Sequence, residues 1–299
     1  SQDRGMEGKV KESLSRLKDR KEQAMRICEE KEREMMNQGY VDPQVIFEEV
    51  QKNARMLLEK NAGISRTDQQ SISEDGEKVR EVAEELSRLV DEEKVLETFM
   101  DRCQGIDVNA KYTTNGDKVT CGYKLAVELL QLRHASGGCK MKMISELLGM
   151  GLNAGSEWRE GRAQGSCGGS ILAGTLWLQE VEDAEKLALA ERLIEKGMEL
   201  NSESIERTTA ASTGTFVLAG AINCPRLSSQ AKADMLVLFL RSGMKVDQPC
   251  KQGGRETSTA QILLPRILAS IPELNLRARM ATEILERGGK GQPEVVEKL

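Results

Sequence analysis

Apolar residues at intervals of three and four mark three helices in the first hundred residues. Over residues 6–38, Val10, Leu14, Leu17, Ala24, Cys28 and Met35 form the stripe of the first. Lys21 and Lys31 interrupt it at seam positions, so this helix is expected to pack on its own chain and not in a long coiled coil. "NQGYVDP" ends it. Asp42 is placed to cap a second helix with Pro43 at its first position, where a missing N–H costs nothing. Val45, Ile46, Val50, Met56, Leu57 and Leu58 form its apolar side, and "NAGISRTDQQSISEDG" then reads as a mobile polar loop. A third helix is predicted over residues 77–102, with Val79, Val82, Ala83, Leu86, Leu89, Val90, Leu96, Phe99 and Met100 on one side. The three make an N-terminal helical hairpin or bundle, residues 1–103.

Beyond it the pattern repeats. Gly105, Gly151, Gly197 and Gly243 stand 46 residues apart, and Gly288 follows one residue early. Four of these glycines follow an apolar pair: Leu147–Leu148, Leu193–Ile194, Phe239–Leu240 and Ile284–Leu285. A Gly after such a pair reads as a helix C-cap. A second set of columns shares the register. Thr120, Ser166, Ser212 and Ser258 are placed to cap helices. Cys121, Cys167, Thr213 and Thr259 come next, then Gly122, Gly168, Gly214 and Ala260, and Leu125, Ile171, Val217 and Leu263 begin a buried face. Each unit reads as loop, inner helix, connection, outer helix and Gly cap. One unit cannot bury its own apolar face, so stacked units are required. The predicted inner helices are 167–180 and 211–222, and the outer ones 184–196 and 229–242.

"GIDVNAKYTTNGDKVTCGYKLA" resembles the ankyrin repeat, through Gly105, Asp107, Val108, Asn109 and Ala110 at the turn and Thr120 at the next helix start. Gly197 with Asn201, and Gly243 with Asp247, match it more loosely. The likeness covers about residues 95–299. The departures are the period, 46 residues against the family's ~33, and the absence of its Pro and His. Units of this length also suit HEAT-type helix pairs. The expected fold is all-α: the N-terminal bundle, then a solenoid of ankyrin-like helix pairs over residues 104–299, with a HEAT-like solenoid second.

Charge and composition narrow the function. Residues 1–103 hold 19 Lys and Arg against 25 Asp and Glu, so the acidic excess of the chain, net -5, lies there. That balance and 3% aromatics argue against a general nucleic-acid binder. No apolar run approaches the ~20 residues of a membrane span. Seven cysteines without a CxxC pair, beside one His, read as reduced structural thiols and give no metal or cofactor set. His134 is expected at a helix C-terminus, where the dipole favours it. "GSCGGS" at 165–170 looks like a phosphate loop but lacks the Walker Lys, and no strand is predicted before it. Cys167 would gain thiolate character at a helix N-terminus, yet its column partners point to packing. No catalytic residue is assigned.

By resemblance to ankyrin arrays, finger loops and the concave inner-helix face would bind a protein. The candidate residues are Lys111, Tyr112, Trp158, Arg159, Glu160, Glu206, Arg207, Lys251, Gln252 and Arg255. Trp, Tyr and Arg are common interface anchors, and the competing reading folds Trp158 back onto its own finger. Trp177 is expected in the core. The functional expectation is a non-enzymatic scaffold for another protein, monomer or weak dimer, in the cytoplasm. It resembles in style proteins that bacteria or viruses deliver into host cells. The alternatives are a non-catalytic part of a larger enzyme, and a self-assembling structural protein.

Overall fold

The computed structural model describes residues 71–299 and six isolated helical positions before them: Ser15, Asp19, Glu22, Gln23, Arg26 and Glu30. Apart from those six, the two helices expected before residue 60 lie outside the described residues. The chain divides into two compact units, residues 1–69 and 70–299.

In the second unit, five helix pairs succeed one another: α1 (Glu74–Arg88) with α2 (Glu92–Arg102), α3 (Cys121–Leu130) with α4 (Gly137–Gly149), α5 (Cys167–Leu176) with α6 (Asp183–Glu195), α7 (Thr213–Asn223) with α8 (Ser229–Arg241), and α9 (Thr259–Ser270) with α10 (Leu274–Glu286). A one-turn helix, α11 (Pro293–Val296), packs against α9. The first member of each pair packs on the first member of the next. The second members make a parallel layer, in which α8 lies between α6 and α10 and Arg192 of α6 donates to Ser145 Oγ of α4 at 2.7 Å. One hydrophobic core runs through all five pairs.

The helices are not alone, and this overturns the all-α expectation in both its ankyrin-like and HEAT-like forms. Six strands form one antiparallel sheet in chain order: β1 (Glu157–Glu160), β2 (Ala163–Ser166), β3 (Glu203–Glu206), β4 (Thr209–Ser212), β5 (Pro249–Gln252) and β6 (Arg255–Ser258). The fold is mixed, helix pairs joined through β-hairpins, and it conflicts with a purely helical solenoid. Each second strand of these segments, read as polar loops, runs directly into an inner helix, and the first N–H of that helix bonds the carbonyl just before the first strand, as Cys167 N does to Ser156 O at 2.8 Å, so both ends of the hairpin are held.

The third expected helix is also two. It breaks at Leu89, Val90 and Asp91: the Leu89 N–H bonds Leu86 O, and Asp91 caps α2 by accepting from Glu93 N. Val90 is 73% exposed, off the predicted apolar face. At the end of the polar loop before it, Ile72 pairs with Thr113 and Ser73 caps α1.

The cap columns explain the repeating geometry. Thr120, Ser166, Ser212 and Ser258 each accept a backbone N–H three residues on. Gly151, Gly197, Gly243 and Gly288 have φ of +87 to +103°. Each donates its N–H to the second carbonyl of the preceding apolar pair, and the residue after it donates to the first, as Met198 N does to Leu193 O at 3.0 Å. That is the Schellman closure, which satisfies the last carbonyls of the helix.

Neighbouring units are clasped by the turn after the cap. Asn109 Nδ2 donates to Gly151 O at 2.8 Å, and its Oδ1 accepts from Asn153 N at 2.9 Å. Asn201 repeats this with Gly243 O and Lys245 N, both at 2.9 Å. Between them the equivalent position is Gly155, where a Cβ would stand 2.4 Å from Gly197 O. The missing clasp is replaced by direct backbone approach. Gly155→Ala is therefore expected to cost about 1.5 kcal/mol by overpacking, measured as a lower urea midpoint at unchanged slope. A neutral result would mean that the two turns are not in contact in solution.

A third column carries charge into the core. Lys140, Lys186 and Lys232 recur every 46 residues in the first turn of the outer helices. Lys140 Nζ donates to Leu130 O at 2.9 Å, at the end of α3. Lys186 is fully buried and donates to Leu176 O (2.7 Å), Leu178 O (3.0 Å) and Arg226 O (3.2 Å). Arg277 Nε does the same for Ile271 O at 3.0 Å, one residue early in register, as Gly288 is. Lys140, Lys186 and Arg277 thus close the C-termini of inner helices.

Candidate protein-binding surface

The sheet places the candidate residues. Each hairpin has four facing residue couples and a two-residue turn, and adjacent hairpins meet at one backbone-paired couple. Alternation sends successive side chains to opposite faces. One face turns to the inner helices. Trp158 lies there, half-buried. Its indole stacks on Tyr123 of α3 with centroids 5.2 Å apart, and Nε1 donates to Ser170 Oγ of α5 at 2.8 Å. A Cβ at Gly165 would stand 3.0 Å from the indole, so Gly165 makes room for it. Trp158 thus ties its finger to two inner helices. Ser204 bonds Thr213 Oγ1 at 3.1 Å and Cys250 approaches Thr259 Oγ1 at 3.7 Å, each joining its finger to the helix that follows. Tyr112, earlier in this column, is half-buried under Lys124 Nζ, 5.6 Å from its ring centre. Lys111 is exposed, and its carbonyl accepts from Ser73 Oγ at 2.6 Å.

The opposite face is an exposed polar ladder. Arg159 donates to Gln164 Oε1 at 3.1 Å, Gln164 Nε2 donates on to Glu203 at 3.3 Å in the next hairpin, and Lys118 lies 3.7 Å from Glu157. Lys251 faces Glu256 across the third hairpin. A 260 Å³ cavity opens between the first finger and β1–β2, lined by Asp117, Lys118, Glu157, Trp158, Arg159 and Glu203 among others. Glu160, Glu206, Arg207, Gln252 and Arg255 are exposed around the hairpin turns. The structure therefore gathers Arg159 and Lys251 on one face, sets these five at the tips, and turns Trp158 and Tyr112 inward.

The third turn is Gly253–Gly254 and the first begins with Gly161, all three at positive φ. Arg207 takes the same left-handed conformation at φ +55°, although it carries a side chain. Glu206 and Arg207 also interact within the chain.

The remaining motifs are absorbed by packing. A strand does precede "GSCGGS": β2 runs into α5 without a gap, contrary to the expectation from sequence. The N–H groups a phosphate would need are already used. Cys167 N donates to Ser156 O, Gly168 N to Ala154 O, both at 2.8 Å, and Gly169 N to Ser166 Oγ at 3.0 Å. The six described thiols are buried. Burial pushes Cys167 and Cys103 up to about 12 and Cys121, where a nearby Asp75 adds, to about 11. The helix N-terminus does not make Cys167 a thiolate. His134 lies exposed in the loop after α3, past the helix end where it was expected. Trp177 is the half-buried C-cap of α5 and not a mid-helix core residue. Among the described residues, no three His, Cys, Asp or Glu side chains cluster to hold a metal, and no helix is long and apolar enough to cross a membrane.

No family model matches the chain, and no curated protein matches its sequence.

Proposed function

We propose that this chain is a non-enzymatic protein-interaction module that presents its hairpin tips and the exposed sheet face to a partner protein. The observation that carries the reading is Arg207. At a turn where the sibling hairpins use Gly161 and Gly253, the chain holds an arginine in a left-handed conformation. Such a backbone costs on the order of 1–2 kcal/mol, and strain of this kind concentrates where a side chain has work to do. Arg is also a frequent interface anchor. The protonated, buried thiols and the occupied N–H groups of α5 support a binding role over nucleophilic or phosphate chemistry.

The test is Arg207→Gly. It removes the strain but adds chain entropy to the unfolded state, ~0.7 kcal/mol, so a net gain of about 0.5 kcal/mol in stability is expected. Partner capture from cell lysate is expected to fall, roughly fivefold, about 1 kcal/mol of binding. A variant that is more stable and captures the same protein equally well would overturn the role of the tip. The companion pair Arg159→Glu with Lys251→Glu is expected to weaken capture with unchanged circular dichroism, since both residues are exposed.

A further inference from the structure

The hairpins meet through a strictly repeated backbone couple. Ile72 pairs with Thr113, Lys118 with Arg159, Gln164 with Ile205, and Ala210 with Lys251. The members of each couple are 41 residues apart and the couples recur every 46. The next first member is Glu256. The residues due to pair with it, around 296–297, are wound into α11 and its C-cap Glu297. β6 is therefore the last strand of the sheet, and among the described residues nothing continues it.

Its backbone is set to be continued. Opposite residues in an antiparallel ladder alternate between hydrogen-bonded and non-bonded pairs. Gln252 and Arg255 flank the two-residue turn and form the bonded pair, so Lys251 and Glu256 form the non-bonded one. The N–H and C=O of Glu256 then point away from β5. Lys118, at the equivalent place, shows the bonds such groups make: its N donates to Arg159 O at 2.9 Å and its O accepts from Arg159 N at 2.8 Å.

The side chain selects the occupant. Glu256 is exposed, on the polar face of the sheet, with Lys251 across from it on the closed side. A second copy pairing β6 to β6 about this residue would set Glu256 against Glu256, and like charges directly opposite are destabilising. Edge charges of this kind discourage self-association. Opposite charges across a strand pair are stabilising.

We infer that the open edge of β6 is a docking site for an extended segment of a partner protein. The segment adds antiparallel, with a Lys or Arg opposite Glu256. This deepens the interaction-module reading and rests on it. Each internal junction uses a single backbone couple, so the docked segment is short and the edge sets its register and orientation.

The probe is a blocked synthetic peptide of residues 201–208 carrying Ile205→Lys, titrated into the isotope-labelled full chain and followed by amide NMR. The expected result is a saturable shift of the Glu256 amide and slowed exchange there. The Arg255 and Thr257 amides are expected to shift with it, and Glu256→Pro, followed at those two neighbours because proline has no N–H, is expected to abolish the peptide-induced shifts while keeping the fold, because proline is tolerated on an edge where the N–H faces solvent. The same peptide with Glu in place of the introduced Lys is expected to bind at least fivefold more weakly, and Glu256→Lys to reverse that preference. No shift at Glu256, shifts confined to other strands, or equal binding by Glu256→Pro would each overturn the inference. The two readings separate cleanly. A lysate partner lost on Arg207→Gly but kept by Glu256→Pro leaves the module standing and removes the edge site, whereas the converse retains the edge and removes the tip.

Discussion

Lys186→Met is expected to destabilise the protein by about 3 kcal/mol, whereas Lys140→Met is expected to cost about 1 kcal/mol. The two residues hold equivalent places in successive units, so the difference isolates burial and bonding. Lys186 is fully buried and serves three carbonyls: Leu176 O at the end of α5, Leu178 O just after it and Arg226 O in the next unit. Methionine fills similar space without a donor. It leaves the carbonyls with one remaining contact, Cys224 Sγ to Leu176 O at 3.3 Å. Each unsatisfied buried acceptor costs on the order of 1–3 kcal/mol. Relief of the ammonium's own desolvation, which lowers its pKa, offsets part of the sum. Lys140 is half-buried and serves Leu130 O alone, and water can replace it. Thermal unfolding should fall by roughly 10 °C for Lys186→Met, at ~2–4 °C per kcal/mol in a domain of this size. Equal, small losses in both variants would mean that the buried ammonium does not close the helix end.

The same column shows why part of the fold was illegible. The capping hydroxyls and glycines were readable because their residue types are rare in helix interiors and their geometry is local. Thr120, Ser166, Ser212 and Ser258 cap the helices at the positions their spacing implied. A lysine in the first turn of an amphipathic helix carries no such signal. Lys186 in "DAEKLALAE" looks like any solvated face, and only its exact recurrence at 140 and 232 sets it apart.

The hairpins were hidden for a different reason. Strands of four residues such as "EWRE" and "RETS" give no alternating apolar pattern, since the first holds one large apolar residue, Trp158, and the second none. Of the three turns, Gly253–Gly254 and Gly161–Arg162 carry glycine where tight hairpin turns use it, and Arg207–Thr208 carries none. The pairing is imposed by helices on both sides, which is tertiary context. Trp158 illustrates the consequence for the site. An aromatic flanked by charge in a loop reads as an exposed anchor. Once the loop is a strand, alternation sends Trp158 toward Tyr123 and Ser170 and leaves Arg159 outside. Arg207 was legible as a residue type but not as a strained one, because its strain appears only when its turn is superposed on those of Gly161 and Gly253.

Alkaline pH is expected to unfold this protein well before ordinary base damage, because its buried thiols hold their protons. Cys103 and Cys167 are pushed to about 12 and Cys121 to about 11, burial being the main cause. In the unfolded chain the same thiols titrate near ~8.5. Above that pH the unfolded state has released protons that the folded state still binds, so stability falls as pH rises toward the folded values. Each thiol contributes a loss of about 1.4 kcal/mol per pH unit in that window. Three together remove roughly 6 kcal/mol by pH 10, a large part of the ~5–15 kcal/mol typical of a folded protein. The buried lysines act in the opposite sense. The lowered pKa of Lys186 means that the folded state sheds its proton first, so that group favours folding increasingly as pH approaches the ordinary lysine value of about 10.4. The thiols outweigh it by number, three of them being pushed up to about 11 or 12. Urea midpoints under reducing conditions should be flat from pH 6.5 to 8 and fall steeply by pH 10. A Cys103→Ala/Cys167→Ala variant should start lower at pH 7, having lost packing, and then decline less steeply than the wild type, because Cys121 and the other buried thiols raised by burial, Cys139, Cys224 and Cys250, still contribute. Parallel declines in wild type and variant would show that other groups drive the alkaline transition, and would remove the thiols from the account of its pH dependence.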